Sequence, residues 1–235
     1  MLPAPRFFPM GDQALIVEFG DRVDPALSAE IAAVAQRLRE SRPLGVRDIV
    51  PAYSTLALHY DPTAVGAGTL PYEALVATIE SWLKTQTGAT PTASRLVEIP
   101  VCYGGAFGED LEALAHNRNL SVEEVIAIHS GAVYHVHMLG FVPGFAYLGG
   151  LDARLATPRR DTPRLHVPAG SVAIGGAQTG VYPLDTPGGW QIIGRTPLQL
   201  FRPDAMPPSL LDAGDAVHFV PISVQEFQAR SKADA

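Results

Sequence analysis

The segment TPRRDTPRLHVPAG places Arg159, Arg160 and Arg164 among prolines. A guanidinium is a planar fork of donors that matches a carboxylate with two bonds at once. A proline-restrained backbone presents that fork at low entropic cost. Two readings stand. The arginines form a carboxylate or anion clamp, or they are a solvated basic loop pairing with acidic neighbours such as Asp152 or Asp185 in a chain of net charge −7. The stretch that follows, VPAGSVAIGGAQTGVYPLDTPGGWQIIGRTP (residues 167–197), is dense in glycine and proline and poor in charge. Glycine is required where φ is positive or where another group comes close, so this stretch shapes either the corners of a barrel or a pocket. GFVPGFAYLGGLD (residues 140–152) carries Phe141, Phe145 and Tyr147, read as core aromatics anchoring a loop or as an apolar pocket wall.

Other reactive residues point to structure. His135 and His137 in HVH would share one face of a strand, but no third ligand is near in sequence, and they are read as half-exposed strand histidines with no metal in this chain. His129 falls on the Val122, Val125, Ile126 stripe of a helix and is read as packed or capped rather than as a base. Cys102 lies in a β-rich run beside Val101 and Tyr103, with no adjacent group to lower its pKa. GGAQTG lacks the lysine of a phosphate loop, and neither a zinc-protease helix motif nor a nucleophile elbow is present.

The elements that must carry these residues change character along the chain. In the first ninety residues, strands alternate with helices. ALIVEFG is β-rich. DPALSAEIAAVAQRLRE has Asp24 as N-cap, Pro25 at the first helical position and Leu27, Ile31, Val34 and Leu38 at helical spacing. GVRDIVPAYSTLALHYDP predicts two strands broken at Pro51, and LPYEALVATIESWLK a second amphipathic helix. The Thr-, Ser-, Gly- and Pro-rich residues 85–94 read as an interdomain linker, with an ordinary surface loop inside one domain as the alternative. This predicts a small α+β domain over residues 1–88 and a second domain over 89–235. The second opens with RLVEIPVCY, then two short helices, one starting at Asp110 and one carrying a Ser121–Glu124 capping box. From Tyr134 onward short β-runs, including WQIIGRTPLQLF and DAVHFVPI, alternate with Gly and Pro, the pattern of a barrel or sandwich. The last residues, VQEFQARSKADA, predict one helical turn and a frayed end.

Composition excludes several classes of function. With 235 residues, 47% hydrophobic and 17% charged, the chain is an ordinary globular one. A net charge of −7 without basic runs argues against nucleic acid or an anionic membrane as partner. No apolar stretch approaches the roughly 20 residues of a membrane span, and the first residues lack a secretory pattern. With a single cysteine, the expectation is a cytoplasmic protein.

Taken in order, GFVPGFAYLGGLD, PRRDTPR, VPAGSVAIGGAQTGVYP and TPGGWQIIGRTP closely resemble the family of the B subunit of bacterial 5-oxoprolinase, which includes the Kip inhibitor of a sporulation histidine kinase and has also been labelled allophanate hydrolase subunit 1. The resemblance extends to IPVCYGGAFGEDL and GDAVHF, and covers the first ninety residues only in general layout. It implies a cyclophilin-like β-barrel after the N-terminal domain. It implies close partnership with the C subunit of that enzyme, and an A subunit that uses ATP. The net reaction it implies is ATP-dependent opening of the lactam of 5-oxo-L-proline to L-glutamate, with phosphorylation of the amide oxygen making a better electrophile. This chain would then contribute binding groups rather than the ATP site. Arg159 and Arg164 become candidates for the substrate carboxylate, and Gln178 and Tyr182 for hydrogen bonds to the lactam; no catalytic residue is implied. The alternatives are a regulatory inhibitor of a sensor histidine kinase and one part of a hydrolase for allophanate or urea-derived amides. A stand-alone prolyl isomerase is a third, though its own sequence motifs are not seen.

Overall fold

The computed structural model describes residues 2–65, 70–85 and 94–233. It divides into two compact units, residues 1–93 and 94–235, each built around its own hydrophobic core. Apart from its two end residues, the linker expected at 85–94 lies outside the described residues.

The first unit is a four-stranded antiparallel sheet with two helices. Its strands are β1 (Arg6–Pro9), β2 (Ala14–Glu18), β3 (Val46–Ala52) and β4 (Thr55–Tyr60), in the order β1-β2-β4-β3, and its helices are α1 (Pro25–Ser41) and α2 (Pro71–Thr85). The Asp24 carboxylate accepts from the N–H groups of Ala26 at 2.8 Å and Leu27 at 3.2 Å, with Pro25 behind it, so α1 begins where a cap and a preset φ coincide. Ile31, Val34 and Leu38 of α1 and Leu75 and Ile79 of α2 are buried in one cluster with Leu15, Val17, Leu56 and Leu58 of the sheet. The break expected at Pro51 does not occur. β3 runs through Pro51, which stands opposite Leu56. β3 is an edge strand, where a missing N–H need interrupt no ladder. The chain reverses instead at Tyr53 and Ser54, with Tyr53 taking a φ of 49°.

The second unit is a closed barrel. In chain order its elements are β5 (Leu96–Tyr103), α3 (Leu111–Asn117), α4 (Val122–Ser130), β6 (Val133–Leu139), β7 (Ala146–Gly149), β8 (Arg164–Val167), β9 (Ser171–Gly175), β10 (Gln178–Val181), β11 (Thr186–Gly188), β12 (Gln191–Arg195), β13 (Ala216–Pro221) and α5 (Val224–Ala233). The barrel closes in the order β10-β7-β6-β13-β5-β12-β9, and β8 with β11 forms a separate two-stranded ribbon. The first and last barrel strands, β5 and β13, lie parallel, with Ile99 opposite Phe219. Val101, Val136, Leu148, Val172, Ile174, Val181, Ile193 and Phe219 share the barrel core. The Ser121–Glu124 capping box starts α4 with both reciprocal bonds in place. Two expectations are corrected here. The strand read in WQIIGRTPLQLF ends at Arg195, two residues before a proline that has no N–H to donate. The C-terminal segment forms the ten-residue helix α5 rather than a single turn. It is opened by Ser223 and Glu226, each side chain accepting from the other's N–H, at 2.8 and 3.2 Å.

Candidate functional site

Residues along β9 and β10 alternate between two environments, as pleating requires. Val172, Ile174 and Val181 belong to the barrel core, whereas Ala173 belongs to a second cluster with Phe145, Val167, Tyr182, Trp190 and Ile192 on the outer face. In that outer row Tyr147 pairs with Gly180, Gly180 with Ala173, and Gln178 with Gly175. Phe145 is the hub of the aromatic rings. Its centroid lies 4.9 Å from Tyr147, 5.3 Å from Tyr182, and 5.6 Å from Phe141 and from Trp190. The glycines beneath this cluster make room for it. A Cβ on Gly175 would stand 2.5 Å from the Trp190 ring, and one on Gly188 would stand 2.4 Å from the Tyr182 hydroxyl. The glycine-rich stretch therefore serves close approach of rings to backbone as much as barrel corners.

Charged groups border the cluster. The Arg159 guanidinium lies 5.8 Å from the Trp190 ring centroid, a cation–π arrangement. Burial pushes the Tyr182 hydroxyl above its usual pKa, and a Trp190 main-chain hydrogen bond and the charges of Arg159 and Arg164 pull it partly back. Arg164 sits at the start of β8 with its side chain 18% exposed and donates from Nη2 to Asp110 Oδ1 at 2.8 Å. Arg160 Nη1 reaches the same oxygen at 3.1 Å. Asp110 Oδ2 accepts from the N–H of Ile192 at 2.7 Å. The hydrogen bond to Asp110, reinforced by its charge, pushes the Arg164 pKa up. Asp152 is held by Arg154 at 2.7 Å, and Asp185 accepts from the Ala169 N–H at 2.7 Å, so neither is the partner of Arg164. Arg164 Nη1 is buried and has no hydrogen-bond partner among the described residues.

Of the four candidate binding residues, Arg159 and Tyr182 meet at Trp190, Arg164 is near enough for its charge to act on the Tyr182 hydroxyl, and Gln178 lies on the same outer face of the barrel. The sequence does not single out Asp110 or Trp190 as members of a site. Asp110 reads as a helix start, and it does occupy the position before α3, but its side chain makes no cap hydrogen bond there. It is spent on Arg164, 54 residues away, and on Ile192, 82 residues away. No local pattern signals such a pairing.

The other chemistry-bearing residues are placed by local geometry. A register shift between Val136 and Met138 falls at His137, and His137 is buried while His135 is exposed. His137 packs where a Gly149 Cβ would be, and burial, with the neighbouring His135, lowers its pKa. Cys102 is buried, and burial pushes its thiol up. GGAQTG is the tight connection between β9 and β10, with Gly176 at a φ of 64°. It opens no helix. Among the described residues no helix is long and apolar enough to cross a membrane.

Residues 5–211 match the family described as carboxyltransferase domain, subdomain C and D. The chain is 45% identical over 228 residues to the 5-oxoprolinase B subunit of Bacillus subtilis, covering 94% of each. It is 44% identical over 217 residues to the 5-oxoprolinase B subunit of Escherichia coli O157:H7, covering 92% of this chain and 95% of that one. Among solved structures, TTHA0988 superposes with a TM-score of 0.77 at 36% identity over 90% of this chain. This chain spans 40% of the length of that longer one.

Proposed function

The chain belongs to the 5-oxoprolinase B-subunit family of carboxyltransferase domains, subdomains C and D, and from that premise we propose that it is the B subunit of an ATP-dependent 5-oxoprolinase, opening 5-oxo-L-proline to L-glutamate with the A and C subunits. The observation that carries this reading is Arg164 Nη1, a buried donor with no partner among the described residues, on a guanidinium whose charge acts on the Tyr182 hydroxyl. A buried donor without an acceptor is unfavourable, and the substrate brings one carboxylate. Arg164 and Arg159 take that carboxylate. A buried charge-assisted contact of this kind contributes about 1.5–3 kcal/mol, roughly ten- to hundred-fold in kcat/KM if it persists in the transition state. The Trp190 face is a wall for the apolar edge of the lactam ring. Gln178 and Tyr182 hydrogen-bond the lactam. The raised pKa of Tyr182 keeps its hydroxyl a neutral donor, suited to an oxygen on which negative charge develops.

In this reading the A subunit uses ATP, the C subunit pairs closely with this chain, and this chain needs no metal of its own. The barrel is of the cyclophilin-like kind, residues 1–88 are a small α+β domain, and the assembly works in the cytoplasm. The test is co-purification with the A and C subunits, followed by measurement of glutamate formed from 5-oxoproline with and without ATP. The assembly is expected to turn over only with ATP, and this chain alone not at all. An intact assembly without 5-oxoproline-dependent turnover, or robust turnover by the single chain, overturns the proposal.

A further inference from the structure

Resting on that reading of the site, we infer that Asp110 is a positioning residue for the substrate: it holds Arg164 by one fork nitrogen so that the other, Nη1, remains as the donor for a monocarboxylate. Asp110 is itself anchored from two sides. Its N–H donates to the Ile192 carbonyl at 2.9 Å, and its Oδ2 accepts from the Ile192 N–H at 2.7 Å, tying it to barrel strand β12. Its other oxygen receives Arg164 Nη2 at 2.8 Å and Arg160 Nη1 at 3.1 Å. With both oxygens engaged, Asp110 is not placed to take a proton from substrate. Its effect on the site runs through the guanidiniums it orients.

The division of labour on Arg164 is unequal. Nη2 serves Asp110 and also approaches Glu109 Oε2 at 3.4 Å, whereas Nη1, equally part of the planar fork, is buried and unpartnered among the described residues. A purely structural clamp would be better served by two bonds to Asp110, the arrangement that guanidinium and carboxylate geometry favours. Charge points the same way. Arg160 and Arg164 face Asp110 and Glu109 and balance them. Arg159 lies over Trp190 and makes no ion pair among the described residues.

The test compares Asp110→Asn, Arg164→Lys and the double variant, each assembled with the A and C subunits. Equilibrium binding of 5-oxoproline, KM and kcat are read alongside the melting temperature. Each single variant is expected to weaken 5-oxoproline binding about ten-fold, carried in KM rather than kcat. The double variant is expected to bind within about two-fold of Arg164→Lys alone, because Asp110 acts through Arg164. Effects that multiply in the double variant show Asp110 to be merely structural and overturn the inference. Should Asp110→Asn fail to fold, Arg164→Lys decides, since lysine keeps the ion pair to Asp110 but lacks the second fork nitrogen. Wild-type affinity in a stable Arg164→Lys chain overturns the inference. A wild-type assembly that neither binds nor turns over 5-oxoproline overturns both this inference and the proposed function.

Discussion

His129 Nε2 and Thr179 Oγ1 lie 2.9 Å apart inside the barrel, and Thr179 spends its own proton on the Ala173 carbonyl at 3.0 Å. The imidazole must therefore donate from Nε2 and accept at Nδ1, where the Tyr103 hydroxyl lies at 2.7 Å. Phe219 stacks on the ring at 4.6 Å, and the Tyr134 hydroxyl donates to the His129 carbonyl at 2.8 Å. His129 is thus a satisfied, neutral core residue.

Burial holds the His129 pKa down at about 3, against 6.5 for the free side chain. Below about pH 6.5 the unfolded chain binds a proton that the native chain refuses until about pH 3, so stability falls as pH falls through that window. The loss is on the order of a few kcal/mol by pH 4, and the lowered pKa of His137 acts with the same sign. Asp61 and Asp152, held down to about 2 by hydrogen bonds from Thr63 and Arg154 respectively, add a loss of the same sign at lower pH. Urea melts at pH 7, 5.5 and 4 measure this, and equal stability at pH 7 and 4 would contradict the buried neutral state.

Gly175→Ala is expected to cost about 1–3 kcal/mol through overpacking, because the added Cβ meets the Trp190 ring at 2.5 Å. In a Trp82→Phe background, which leaves Trp190 as the only indole, its fluorescence should shift to the red as the ring is pushed from the cluster. Unchanged emission with unchanged stability would show that the ring is not seated against Gly175.

Phe141 has a φ of 74°, its flanking residues close a three-residue turn through the Val142 N–H and the Gly140 carbonyl at 2.9 Å, and it is 61% exposed. Such a turn is strained for any residue with a Cβ. Phe141→Gly is therefore expected to be more stable than Phe141→Ala by about 1 kcal/mol, the reverse of the order in a helix. Chemical denaturation of the two variants decides it, and an Ala variant equal to or better than Gly would rule out the strain.

An Arg164 that served only a substrate or solvent would let Arg164→Ala leave the fold nearly intact. The pairing with Asp110 makes a stability cost the expected outcome. Removing a partly buried partner should cost about 1–3 kcal/mol, moderated because Asp110 keeps Arg160 and the Ile192 N–H. The melting temperature of the isolated chain should fall by several degrees. An unshifted melting temperature would mean that the Arg164–Asp110 contact is not held in solution.

Local chemistry suffices for the start of α1 at Asp24 and Pro25 and for the capping box at Ser121 and Glu124, because caps are settled by residues within one helical turn. The change from helix-and-strand to short strands punctuated by glycine and proline likewise announces a barrel or sandwich, and long ordered motifs identify the family, which narrows it to a barrel. Reading locally also has its cost. Pro51 reads as a break along the chain, yet a proline's tolerance depends on which neighbour its strand lacks, and edge position is a property of the sheet. Simple alternation gives His135 and His137 one face, which an irregular register at His137 undoes. The site shows the limit most clearly. Arg159, Arg164, Gln178 and Tyr182 can be named from residue type and resemblance, but Asp110 cannot. Its carboxylate is assigned by contacts 54 and 82 residues away along the chain, and only closure of the barrel, which brings the start of α3 beside β12 and the arginine loop, creates them.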